Sequence, residues 1–136
     1  MKTLLTLLLV ISVEMSFAQK NPVFLFYAHG FGVTTADHVA AGSFPKPLKV
    51  YIQNQKLIVG ERMYKIKKMT PTLYMQNGSI SEYQCVDEVD TPIVATYTIQ
   101  RDKNNKVVFG ELVLQNHYYT TTYVSRRLEQ MYRKKN

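Results

Sequence analysis

His29, Asp37 and His38 lie close together in the chain, beside the glycine-rich stretch His29-Gly30-Phe31-Gly32. Two imidazoles and a carboxylate can move a proton near neutral pH or ligate a metal. His117, the remaining histidine, could extend the group toward the three or four nitrogen and oxygen ligands that zinc prefers. The spacing matches no metal-ligand motif, so no metal and no cofactor is assigned. What it leaves is one catalytic alternative, a small secreted hydrolase or metal-dependent enzyme centred on His29, Asp37 and His38.

Other reactive groups read as structural. The glycine pair resembles, over four residues, the oxyanion segment of lipases and esterases, but no Gly-x-Ser-x-Gly nucleophile elbow accompanies it. Cys85 is the only cysteine, which excludes an intramolecular disulfide. By alternation it shares a face with Ser81 and Tyr83, as a small buried apolar side chain would. Asp87, Glu88 and Asp90 lack the spaced oxygens and glycine of a calcium loop and read as a solvated turn. Asn77-Gly78-Ser79 fits a glycosylation acceptor, and a tight turn explains the same residues.

Tyrosine is the more informative residue type. The chain carries ten Tyr and six Phe. Tyr64, Tyr74, Tyr83, Tyr97 and Tyr119, with Tyr118 and Tyr123, are spread over several expected strands. Tyrosines facing a barrel interior can hold an apolar ligand while their hydroxyls orient it, and they can equally pack a core. Charge points to another class of partner. The formal net charge is +7. Lys65, Lys67 and Lys68 form one basic cluster, and Arg126, Arg127, Arg133, Lys134 and Lys135 form another. Such patches suit a protein or an acidic glycan. Export and the lack of an RNA-binding signature disfavour nucleic acid.

The elements that must position these groups are strands. Apolar and polar residues alternate at period two through most of the chain, between turn signals. Residues 23–28 suit a buried strand, and the glycines after them suit a turn or a close backbone approach. Thr35 is placed to cap a short helix over residues 36–41, ended by Gly42. Pro45 and Pro47 then hold off regular structure. A two-residue loop at Asn54-Gln55 sets Ile52 opposite Leu57 and Val50 opposite Val59 on one buried face. Asn77-Gly78 reads as a type I′ turn setting Met75 opposite Ile80. Residues 93–100 alternate cleanly, and Gly110 suggests a bulge in the next strand. After residues 118–124 a short C-terminal helix is expected, capped by Ser125.

Together these predict an all-β domain, an antiparallel meander of about eight strands forming a small barrel, with a sandwich as the second choice. Lysines and other polar residues interrupt both faces of the strands, which argues against a membrane barrel. Residues 1–18 read as a signal peptide, with Lys2, an apolar run and Ser16-Phe17-Ala18 before the cut. The run is too short to span a bilayer, so residues 19–136 are expected as a single secreted or periplasmic domain without a transmembrane segment. The functional expectation is a non-enzymatic β-domain that binds a small apolar ligand or a macromolecular partner.

Overall fold

The structure, a computed structural model, describes residues 21–126. These form nine strands: β1 (Val23–Thr35), β2 (Val39–Gln53), β3 (Lys56–Val59), β4 (Arg62–Met69), β5 (Leu73–Met75), β6 (Gly78–Val86), β7 (Pro92–Arg101), β8 (Val107–Gln115) and β9 (Tyr119–Val124). Neighbours pair antiparallel from β1 to β4 and from β6 to β9, β4 pairs with β6, and β9 returns to β1. Eight strands therefore close a barrel, as the hairpin pattern predicts. The ninth, β5, continues along the edge of β6 that β4 occupies. Met69 lies opposite Tyr83, and Leu73 opposite Ile80. The two strands make one arm broken at Pro71, which has no amide to donate. Hydrogen bonds bridge the break: the Thr70 amide and hydroxyl both donate to the Glu82 carbonyl, at 3.1 and 3.0 Å.

Turn chemistry accounts for the regular half of the barrel. Asn54 and Gln55 adopt φ of 52° and 59°, the left-handed pair a type I′ turn needs. The loop sets Ile52 opposite Leu57 and Val50 opposite Val59, as expected, with Val50, Leu57 and Val59 buried and Lys49 and Lys56 exposed. Gly60-Glu61 makes the next two-residue loop into β4. On β7, Ile93, Ala95 and Tyr97 point inward. The longer loops share one device, a side-chain oxygen accepting two backbone amides. Asp87 Oδ1 accepts from Val89 and Thr91, Asp102 Oδ1 from Asn104 and Lys106, and Asn116 Oδ1 from Tyr118 and Tyr119.

Four local expectations are corrected. Pro45 and Pro47, expected to hold off regular structure, both lie within β2. They fall in the stretch without ladder partners on β1, where a missing amide costs no bond. The described residues contain no helix, and residues 36–41 are a turn leading into β2. Val39, Ala40 and Ala41 pair with Thr34, Val33 and Gly32, and the Thr35 amide closes the turn onto the His38 carbonyl at 2.8 Å. A six-residue helix has too few hydrogen bonds to repay nucleation, whereas a hairpin satisfies the exposed edge of β1. The second hairpin turns on Gln76-Asn77, not Asn77-Gly78, because Met75 pairs with Gly78. Gly78 serves the ladder, where an added Cβ would collide with the Ile99 carbonyl oxygen. The β7–β8 irregularity lies between Gln100 and Arg101, away from Gly110. The expected C-terminal helix and the signal peptide lie outside the described residues.

The strongest irregularity is in β1. Ala28 pairs with Leu48, but Gly30 pairs with Ser43, so residues 44–47 of β2 stand opposite His29 alone. This bulge reverses the inward parity of β1, from Phe26 and Ala28 to Phe31 and Val33. It also divides the strand by partner. Above the bulge β1 has β9 on its second edge, and below it only β2. Phe26 secures that lower half by stacking on Tyr97 at 5.9 Å, while the Tyr97 hydroxyl donates to the Leu25 carbonyl at 3.3 Å. Gly110 makes the space, since a Cβ there would lie 3.0 Å from the Phe26 ring. Gly110→Ala is expected to destabilise the fold by about 1–3 kcal/mol through overpacking. In a double-mutant cycle by denaturant unfolding, Phe26→Leu should absorb much of that cost. Strict additivity would show that the ring does not require the glycine.

Candidate functional site

The mouth of the barrel, beside the β3–β4 loop, holds a half-open cleft of about 550 Å³. Its walls follow from the β1 bulge. Phe31 turns inward only because the parity has switched, and Phe44 comes from the β2 segment that faces His29. Their rings meet at 4.9 Å, and Phe44 stacks on Tyr123 at 6.3 Å. Leu48 and Val59 extend the apolar surface, and Arg62 and Thr121 bring polar groups to it. A concave, largely apolar site with a few convergent polar groups is the usual form of a small-molecule pocket.

Arg62 begins β4 opposite the buried Val59, at the same parity as the inward-facing Tyr64. Tyr123, Tyr64 and Tyr119 lie close around its guanidinium, with Tyr64 within hydrogen-bonding reach, and once ionised in alkali they hold its proton more tightly. Burial pushes the Tyr64 and Tyr123 hydroxyls above their ordinary value. Both therefore remain neutral phenols at physiological pH, able to donate as well as accept.

The structure distributes the candidate tyrosines unequally. Tyr64, Tyr83 and Tyr97 are buried inside the barrel, with Tyr123 beside them. Tyr119 is half-buried on β9 near Arg62. Tyr74, on β5, is 80% exposed and stands outside the barrel. Phe31, Phe44 and Arg62 were not among the residues singled out from sequence. Arg62 shares the inward parity of Tyr64 and Ile66, a signal available in the alternation of β4. Phe31 and Phe44 gave no comparable signal, because neither lies in a regular alternation.

The histidine group does not converge. Asp37 and His38 are exposed in the β1–β2 turn, while His29 sits in the bulge six residues before the end of β1, or roughly 20 Å at strand rise. His117 is exposed in the β8–β9 loop. Among the described residues, no group of three His, Cys, Asp or Glu side chains could hold a metal. Asp87 already accepts two amides, as a turn residue would. Arg126, the last described residue, lies over the Phe109 ring at 5.9 Å and donates to the Val108 carbonyl at 3.1 Å. Arg127, Arg133, Lys134 and Lys135 lie outside the described residues. No described helix is long and apolar enough to cross a membrane. Comparison with known protein families, curated proteins and solved structures finds no match.

Cys85 is 3% exposed, and burial pushes its thiol up to about 11, so the thiolate needed for nucleophilic chemistry is suppressed. Thiol reagents at mildly alkaline pH should leave Cys85 unmodified in the native protein and label it once denaturant unfolds the chain. Rapid native labelling would contradict its burial. The same physics sets an alkaline limit to stability. Burial raises the hydroxyls of Tyr97, Tyr83, Tyr64 and Tyr123 above the ordinary value of 10.0, and Cys85 above 9.0. Below about pH 9 folded and unfolded chains both keep these protons, and the contribution is intact. Above it the unfolded chain ionises first, so stability falls as pH rises. Calorimetry should show this group costing little Tm up to about pH 9 and a progressive loss beyond it.

Proposed function

We propose that this protein is an exported, non-enzymatic β-barrel that binds a small, mainly apolar molecule in its mouth cleft. The observation that carries the reading is the aromatic wall of Phe31 and Phe44, which packs against the core on one side and borders the open cleft on the other. Below the mouth the interior is filled by side chains such as Leu57, Leu112 and Leu114, each at most 2% exposed. Solid packing there leaves the cleft as a place, among the described residues, where a ligand can replace water against apolar surface. Burying that surface is favourable by about 25 cal/mol per Å² before the costs of immobilising the ligand. The residues that line the cleft can bind and orient, and none forms a nucleophile–base pair that would support catalysis.

Export rests on residues 1–18, whose charged start, apolar run and small-residue boundary fit a cleaved signal. The protein recovered from its own host should then have a mass beginning at Gln19. An intact Met1 start would remove the export reading.

Ligand binding is tested with a neutral environment-sensitive dye, N-phenyl-1-naphthylamine. Saturable one-site binding is expected. Val33, partly exposed on the wall, is a site where a larger ring would project into the cleft. Val33→Trp should weaken the dye by about tenfold or more with little change in Tm, as steric exclusion from a pocket implies. Absence of saturable binding, or equal binding by a folded Val33→Trp variant, would overturn the proposal.

A further inference from the structure

We infer that the ligand of the mouth cleft carries an anionic head, a carboxylate, seated on Arg62 with its apolar body against Phe31, Phe44 and Leu48. The inference rests on the cleft being a ligand site and adds the charge and orientation of what it holds.

Arg62 is the only cation among the residues lining the cleft. It is placed there by register, opposite Val59 at the end of a hairpin, with Tyr64 following on the same inward face. The contact to Tyr64 uses one part of the guanidinium fork, which has five N–H donors, so donors remain for a second partner. The groups around it are phenols rather than carboxylates: Tyr123, Tyr64 and Tyr119. Hydroxyls that stay protonated do not cancel the charge. Glu61 is the one carboxylate in the lining, and it lies in the exposed two-residue loop at the rim.

The chemistry then discriminates between ligand classes. A cationic amphiphile would meet Arg62 and a chain of formal net charge +7. A neutral one would leave the free guanidinium donors to water. A carboxylate can accept two parallel N–H bonds from the fork. The apolar walls strengthen such bonds by lowering the local dielectric. Arg62 remains exposed to solvent on one side, which screens the pair. The expected preference is therefore about tenfold rather than a hundredfold.

The experiment is displacement of N-phenyl-1-naphthylamine by decanoate and by decanol near neutral pH, on the full-length mature protein and on Arg62→Gln. The readout is the ratio of decanol to decanoate dissociation constants, which cancels the shared alkyl chain. Arg62→Gln should lower that ratio by about tenfold, mainly through loss of decanoate affinity, and added salt should weaken decanoate but not decanol. Arg62→Lys keeps the charge without the planar fork and should fall between the two. It also keeps the test decisive if the glutamine variant does not fold. A ratio unchanged by both variants, or no displacement by decanoate while the dye still binds, would overturn the anionic head and leave the cleft reading standing. Failure of the dye itself to bind would overturn both.

Discussion

The bulge at His29 is the constraint on which the rest of the barrel depends. Four residues of β2 face one residue of β1 at that point. No regular antiparallel ladder can absorb that mismatch, so β1 bends and its inward parity changes. Below the bend, Phe26 and Ala28 point into the core. Above it, Phe31 and Val33 do, and the strand gains β9 as a second neighbour. Closure of the barrel and opening of its mouth are consequences of the same slip. Without the parity change, the ring of Phe31 would face solvent and the cleft would lose one wall. Without the extra β2 residues, Phe44 would have no position from which to meet it.

The lower half of β1 has to be held by something other than a ladder on its free edge. Phe26 and Tyr97 supply this through the interior, by stacking and by the hydroxyl bond to Leu25. A small barrel filled with Leu and Val alone could not make that polar bond across its axis. Tyrosine can, because its ring packs while its hydroxyl reaches a backbone acceptor. The same residue type serves two purposes along the barrel. Deep in the interior Tyr97 ties strands together, and Tyr83 packs in the core at 6% exposure. At the mouth Tyr64, Tyr119 and Tyr123 surround a guanidinium and leave an open, polar-edged space.

The sequence made the regular half of this fold readable and hid the irregular half. The Asn54-Gln55 hairpin follows from a turn length and an alternation that agree, so both residue pairing and buried face could be derived. The β7 face was equally plain. Residues 30–47 were opaque because their composition, rich in Ala, Gly and Pro, carries no periodicity of either kind. A short helix over 36–41 was compatible with the local capping signals, and only the unpaired edge of β1, a non-local demand, decides against it. Gly78 illustrates a second kind of opacity. Asn-Gly suits a tight turn on propensity, but the close approach of β7 requires the glycine one position later in the ladder. Tertiary contact outweighs local preference there.

The cleft shows how far residue type and position in the barrel can diverge. Tyrosine content pointed to the interior of the barrel, where Tyr64, Tyr83 and Tyr97 are buried, while Tyr74 lies outside and the tyrosine that lines the cleft is Tyr123. What distinguishes a tyrosine available to a ligand from one committed to packing is its height along the axis, and height is set by register. Register is in turn set by the bulge, which the sequence does not announce. Arg62 makes the point from the opposite side. A lone arginine at the start of a strand reads as a solvent-facing end, yet its parity with Tyr64 places it on the inner face, where a long side chain can lay its stem on Val59 and present its charge at the rim. An inward parity for a charged residue at the open end of a barrel thus says more about where a polar-edged cleft lies than a count of aromatic residues does. Aromatic side chains are stable in a solid core, whereas a guanidinium directed toward apolar walls gains most when an anion occupies the space beside it.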